Sequence, residues 1–115
     1  MARKRLGTLA VGHIRIPVFL RDGLMVLDDT ATHVIGEGSN GSFGTFQTVG
    51  GYVINLSKES PDLVATLLHE YLHAVLFIRG HPEALDEEWL CDCISDAVSE
   101  FYARNGKLIE AVRNA

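Results

Sequence analysis

The chain has only two cysteines in 115 residues, Cys91 and Cys93, separated by one position. On the helix expected there they point about 200° apart, so they cannot bridge each other. With no disulfide framework, a reduced, cytoplasmic setting is the expectation. There is no basic run either, and the net charge is −5, so the electrostatic footprint of nucleic acid or of an anionic membrane surface is missing. Residues 6–11 form an apolar run after a basic start, but Gly7 interrupts it and His13 and Arg15 stop it, which makes no signal peptide. Repeats, linkers and low-complexity tracts are also lacking. The most apolar helix, at 61–79, is too short and too polar to span a bilayer.

What remains is an ordinary globular composition, 47% hydrophobic and 22% charged, in a length that makes residues 1–115 one domain. Residues 60–82 carry the clearest local signal. Ser60 suits an N-cap, Pro61 the first helical position, and Asp62 the positive end of the helix dipole. Arg79 suits the other end, Gly80 a left-handed stop, and Pro82 forbids continuation. Nearly every residue between is apolar, which predicts a buried helix. Thr66, His69, Glu70 and His73 are the exceptions, and their spacing puts them on one face.

His69-Glu70-Tyr71-Leu72-His73 is HExxH. Two histidines one turn apart can hold one zinc ion, Zn2+, and the glutamate beside the first can serve as general base to a water in the open position. Two histidines and a glutamate left unpaired in a core would cost several kcal/mol, roughly, which a metal would relieve. His13 and His33 read as surface or strand histidines.

Around this helix, residues 12–21 alternate and are rich in branched side chains, so they predict a strand, with Pro17 marking an edge or bulge. Arg21-Asp22-Gly23 is a turn signal, with a return strand at 24–28. Residues 30–51 are Gly-rich and read as loop or a short irregular hairpin; the glycines do not sit between a strand and a helix start, so they make no phosphate cradle. Residues 51–57 predict a strand leading into the HExxH helix. Residues 84–105 predict a second helix, capped by Asp86, stopped at Asn105-Gly106, and apolar along Leu90, Ile94, Ala97, Val98 and Phe101. Residues 107–114 add a short last helix. Strands followed by helices give an α+β fold: a small antiparallel sheet packed on a buried HExxH helix and a second helix. It divides into strands and Gly-rich loop at 1–57, the active-site helix at 60–80 and a third-ligand helix at 84–105.

A zinc site needs a third protein ligand. The metzincin spacing would place a histidine at Arg79 and its glycine at Leu76, so that class is excluded. His81 lies just past the helix. Glu87 shares a stripe with Cys91, Ile94, Val98 and Phe101, which turns it inward. Glu88 is followed one turn later by Asp92, a pairing in which the second carboxylate could orient a zinc-bound histidine. An acidic first turn also simply suits the helix dipole, which leaves all three open.

HExxH on one helix with a glutamate from the next resembles the gluzincin arrangement. Glu88-Trp89-Leu90-Cys91-Asp92 resembles the second motif of ImmA/IrrE-type metallopeptidases. Compact phage-encoded HExxH proteins are similar too: a Gly-rich region, an Ile-Asn-Leu strand like residues 53–56, and a helix like Thr66 to Ala74. The likeness covers residues 51–105. It implies a minimal zincin-like fold with His69, His73 and Glu88 as metal ligands, Glu70 as general base and Asp92 behind them. Larger gluzincins have a further domain that walls the cleft and often supplies a Tyr or His to the oxyanion, and no residue here clearly matches that group. Tyr52, His81 and Tyr102 are candidates for it, the tyrosines also reading as packing aromatics.

The expected activity is zinc-dependent hydrolysis of a peptide or protein substrate, with the strand at 51–57 placed to take an extended peptide. The alternative is a non-catalytic, peptidase-like zinc protein acting as a binding or regulatory module. In that case metal would mainly support folding, and Glu70 would have no role.

Overall fold

The computed structural model describes residues 3–27, 34–38, 41–79 and 87–115, with backbone alone at 35, 37, 87–93, 95 and 96. Its elements are β1 (Arg3–Val11), β2 (Ile14–Arg21), β3 (Met25–Leu27), β4 (Val34–Glu37), β5 (Gly44–Gln47), β6 (Val53–Ser57), α1 (Leu63–Ile78), α2 (Glu87–Arg104) and α3 (Gly106–Arg113). The result is a small α+β fold: a mixed four-stranded sheet in the order β1-β2-β6-β5, a separate β3-β4 pair, and three helices. None of the described helices is long and apolar enough to cross a membrane.

Three features of the sheet depart from the sequence reading. It is mixed rather than antiparallel, because β2 and β6 pair in parallel through Val18↔Ile54 to Arg21↔Ser57. In addition, the apolar run at 6–11 belongs to a strand. Leu9, Ala10 and Val11 are all buried, which hides the alternation that marks a half-exposed strand. Gly12 and His13 join β1 to β2 in a two-residue turn, with Gly12 at φ 56°, where a side chain would be strained. The segment after Arg21 does not fold back on β2. Its described part, β3, pairs with β4 instead, since β6 already occupies that flank of β2. Pro17 stands one residue before the length of β2 that pairs with β6, so its missing N–H falls where that ladder has not begun.

Helix α1 starts two residues later than the cap signal at Ser60 suggests. Asp62 is the N-cap and accepts from Ala65 N at 3.0 Å, while Ser60 bonds the Thr66 hydroxyl at 2.7 Å. Nor is α1 buried all round. Leu67, Glu70, Tyr71, Ala74 and Val75 face the core, whereas His69, His73, Leu76 and Phe77 are exposed. An apolar face wider than the core contact misled the periodicity. The expected cap Asp86 lies outside the described residues. In α2, Ala97 and Phe101 are buried as expected, while Ile94 is exposed. The short last helix is α3.

The core joins the inner face of β1, β2 and β6 to one side of α1 and to Ala97, Phe101 and Val112 of the later helices. Two polar groups lock this packing. Asn105, buried between α2 and α3, accepts from Ala10 N at 2.8 Å and donates to Phe101 O at 3.1 Å. It thereby satisfies an outward N–H on the edge strand β1. Glu100 binds Arg79 at the end of α1 (2.8 Å), Arg104 (2.7 Å) and Gly12 N in the β1-β2 turn (3.2 Å), and accepts from the Tyr71 hydroxyl at 3.4 Å.

Burial alone would raise the Glu100 carboxyl, but the Gly12 N–H, the Arg104 guanidinium and the Arg79 charge outweigh it and hold it below its ordinary 4.5. A carboxyl lowered on folding adds stability above that value, and the contribution disappears as pH falls through the folded one. The guanidinium groups are 39% and 41% exposed, so solvent screens part of the attraction. Glu100→Gln is therefore expected to cost about 1–2 kcal/mol at neutral pH. In denaturant titrations the gap from the native chain should narrow steadily below about pH 4.5.

Candidate active site

The polar stripe of α1 faces β5, and the two approach closely at Gly44. A Cβ on Gly44 would lie 2.6 Å from Thr66 Cγ2 and 2.9 Å from Glu70 Oε2. Thr66 is short and branched and cannot swing clear, so only glycine lets the helix sit this close. The Ser42 hydroxyl fixes the strand there, donating to Gly44 O at 2.6 Å and accepting from Gly44 N at 3.3 Å.

On the open side of this contact, His69 and His73 bring their Nε2 atoms to 3.1 Å, with ring planes at 76°. Two nitrogens bound tetrahedrally to zinc at about 2.0–2.1 Å stand about 3.3 Å apart, so the pair fits a shared metal. Burial, then the His69 charge, lowers the His73 pKa and favours the neutral ring a metal requires. Glu70, 6% exposed, is pushed up to about 7 by burial. A cation nearby acts in the opposite direction and favours the carboxylate.

His69, Glu70 and His73 line a groove of about 430 Å³ together with Leu27, Gly44, Phe46 and Phe77. A second lobe of about 350 Å³ shares Ser42, Gly44, His69 and Glu70 and extends past Phe43 and Thr66. The two histidines and the glutamate of HExxH are thus brought to one open cleft. Glu87 and Glu88 stand on the first turn of α2 and Asp92 about one turn further, but their side chains are outside the described residues, as is all of His81. Among the described residues no group of three His, Cys, Asp or Glu side chains gathers as a metal cage.

The two tyrosines do not join Glu70. Tyr52 packs on Phe46 and Phe77, with ring centroids at 5.8 and 6.2 Å. Tyr102 lines a different cavity with Leu68, Val112 and Arg113. The strand expected to receive a peptide, at 51–57, cannot do so. It is β6, paired on both sides by β2 and β5, and the sheet edge beside the groove is β5. Sequence reasoning missed Gly44, Phe46 and Phe77. Gly44 was hidden among neighbouring glycines, but Phe77 follows His73 by four positions and continues the Thr66–His69–His73 face, a signal that could have found it.

The Gly44 contact predicts that Gly44→Ala destabilises the fold by about 1–3 kcal/mol through overpacking against Thr66. Thermal unfolding of the variant beside the native chain measures the loss.

No family model matches the chain, and no curated protein or solved structure matches it, so the groove is read from its own geometry.

Proposed function

We propose that the chain is a zinc-dependent metallopeptidase with a minimal zincin-like arrangement. The observation that carries this reading is the 3.1 Å convergence of His69 and His73 beside a buried Glu70, in a groove open to solvent. His69 and His73 would hold the metal, with a third ligand from the start of α2, Glu88 in preference to Glu87. Bound there, zinc would supply Lewis acidity, lowering the pKa of water and sharing the charge of a polarised carbonyl oxygen.

Glu70 supplies the proton traffic. It takes a proton from the attacking water as the new C–O bond forms, and delivers it to the nitrogen as the C–N bond breaks. The products are a carboxylate and an amine. Its carboxyl lies against Gly44, where an added Cβ would come within 2.9 Å of Oε2.

The edge strand supports an extended substrate. Ser57 N donates to Phe43 O, so alternation turns Phe43, Thr45 and Gln47 toward β6 and Gly44 and Phe46 outward. Ser42 occupies the outward groups of Gly44. Phe46 then offers its N–H and C=O to an added strand, directly above the groove.

Elemental analysis of the purified chain should find about one zinc per chain, lost on chelation and in His73→Ala. It should be lost in only one of Glu87→Ala and Glu88→Ala. No zinc after reconstitution would overturn the proposal. Glu70→Gln should retain zinc and lower peptide hydrolysis by at least about a hundredfold. Undiminished hydrolysis would remove Glu70 from this role. A zinc-loaded native chain inert toward peptides would favour the binding-module alternative.

A further inference from the structure

The two lobes of the groove differ in chemistry, and the difference has a direction. Beyond the histidine pair on one side stand Phe46, Phe77 and Leu27, with Thr45 and Thr48 beside them. The rings of Phe46, Tyr52 and Phe77 form a closed triangle, with centroids 5.8–6.2 Å apart. Phe77 is nonetheless 56% exposed, one turn after His73. On the other side of Glu70 the lobe is lined by Ser42, Phe43, Ala65 and Thr66. The first side has a cluster of mutually packed rings with an uncovered face, whereas the second has one exposed ring, Phe43, among Ser42, Ala65 and Thr66.

Resting on the peptidase reading, we infer that this chain cleaves on the carboxyl side of an aromatic or large aliphatic residue, whose side chain is held by Phe46 and Phe77. The polarity follows from the register. Gly44 lies against Thr66 and Glu70, and Phe46 lies against Phe77, so β5 and α1 run the same way past each other. A peptide added antiparallel to β5, the more frequent pairing, runs the opposite way. Its amino-terminal part then lies toward Phe46 and Phe77, and its carboxyl-terminal part toward Phe43 and Thr66. With the attacked carbonyl at Glu70, the residue contributing that carbonyl meets the aromatic wall. Offset or edge-to-face packing on Phe77 favours aromatic guests, and burial favours large aliphatic ones.

The test is to digest a mixed peptide pool with the zinc-loaded chain and map the cuts by mass spectrometry, using Glu70→Gln as the blank. Cuts should follow Phe, Tyr, Leu and Met. Phe77→Ala, at a position exposed enough to change without emptying the core, should reduce discrimination between Phe and Ala there by roughly tenfold to a hundredfold. Its zinc content should stay at the native level. Phe77→Leu should keep the aliphatic cuts and lose most of the aromatic preference. Cuts that precede these residues, cuts without preference, or discrimination that survives Phe77→Ala would each overturn this inference and leave the peptidase reading standing. No cleavage at all by the zinc-loaded chain would overturn both.

Discussion

The site depends on how closely α1 approaches the sheet at Gly44. With a side chain at that position, Thr66 and Glu70 would be pushed off β5 and the stripe of α1 would lose its wall. Because the strand is bare there, the helix packs against backbone, and Glu70 is buried while the neighbouring histidines remain open to solvent. On the proposed reading, a carboxyl sealed on one side and imidazoles exposed on the other would hold the base still while metal and substrate remain free to enter.

The rest of the fold keeps that contact in place. Leu67, Tyr71 and Val75 seat α1 against the strands, and Phe101 and Val112 close the core from the later helices. Glu100 and Asn105 then connect elements far apart in sequence, the β1-β2 turn with the end of α1 and the edge strand with the α2-α3 junction. Such groups add orientation to a core whose apolar contacts are tolerant of sliding.

The helices and the shared face of the HExxH side chains were legible because both obey local rules. Histidines at i and i+4 must share a face, and Asn105-Gly106 carries its own stop signal. The sheet was less so. Nothing local in Val18 or Ile54 says that their strands run parallel, and nothing in residues 24–27 says that β6 will displace them from β2. Those are outcomes of long-range competition for one strand flank. The buried end of β1 failed for another reason: Asn105, 95 positions away, supplies the bond that lets Ala10 be covered. Likewise, Gly44 matters through its neighbours in space, which the surrounding glycines conceal.

The Glu100 cluster has a mechanical consequence. It grips α2 near its carboxyl-terminal end, while the glutamates proposed as ligands stand on its first turn. Twelve residues of helix separate Glu100 from Glu88, a rod of about 18 Å. Metal bonds tolerate roughly 0.2 Å of misplacement, which over that length corresponds to a tilt of about 0.6°. Small changes at the grip are therefore magnified at the far end of the rod. Residues that touch neither metal nor substrate would in this way set the aim of the third ligand.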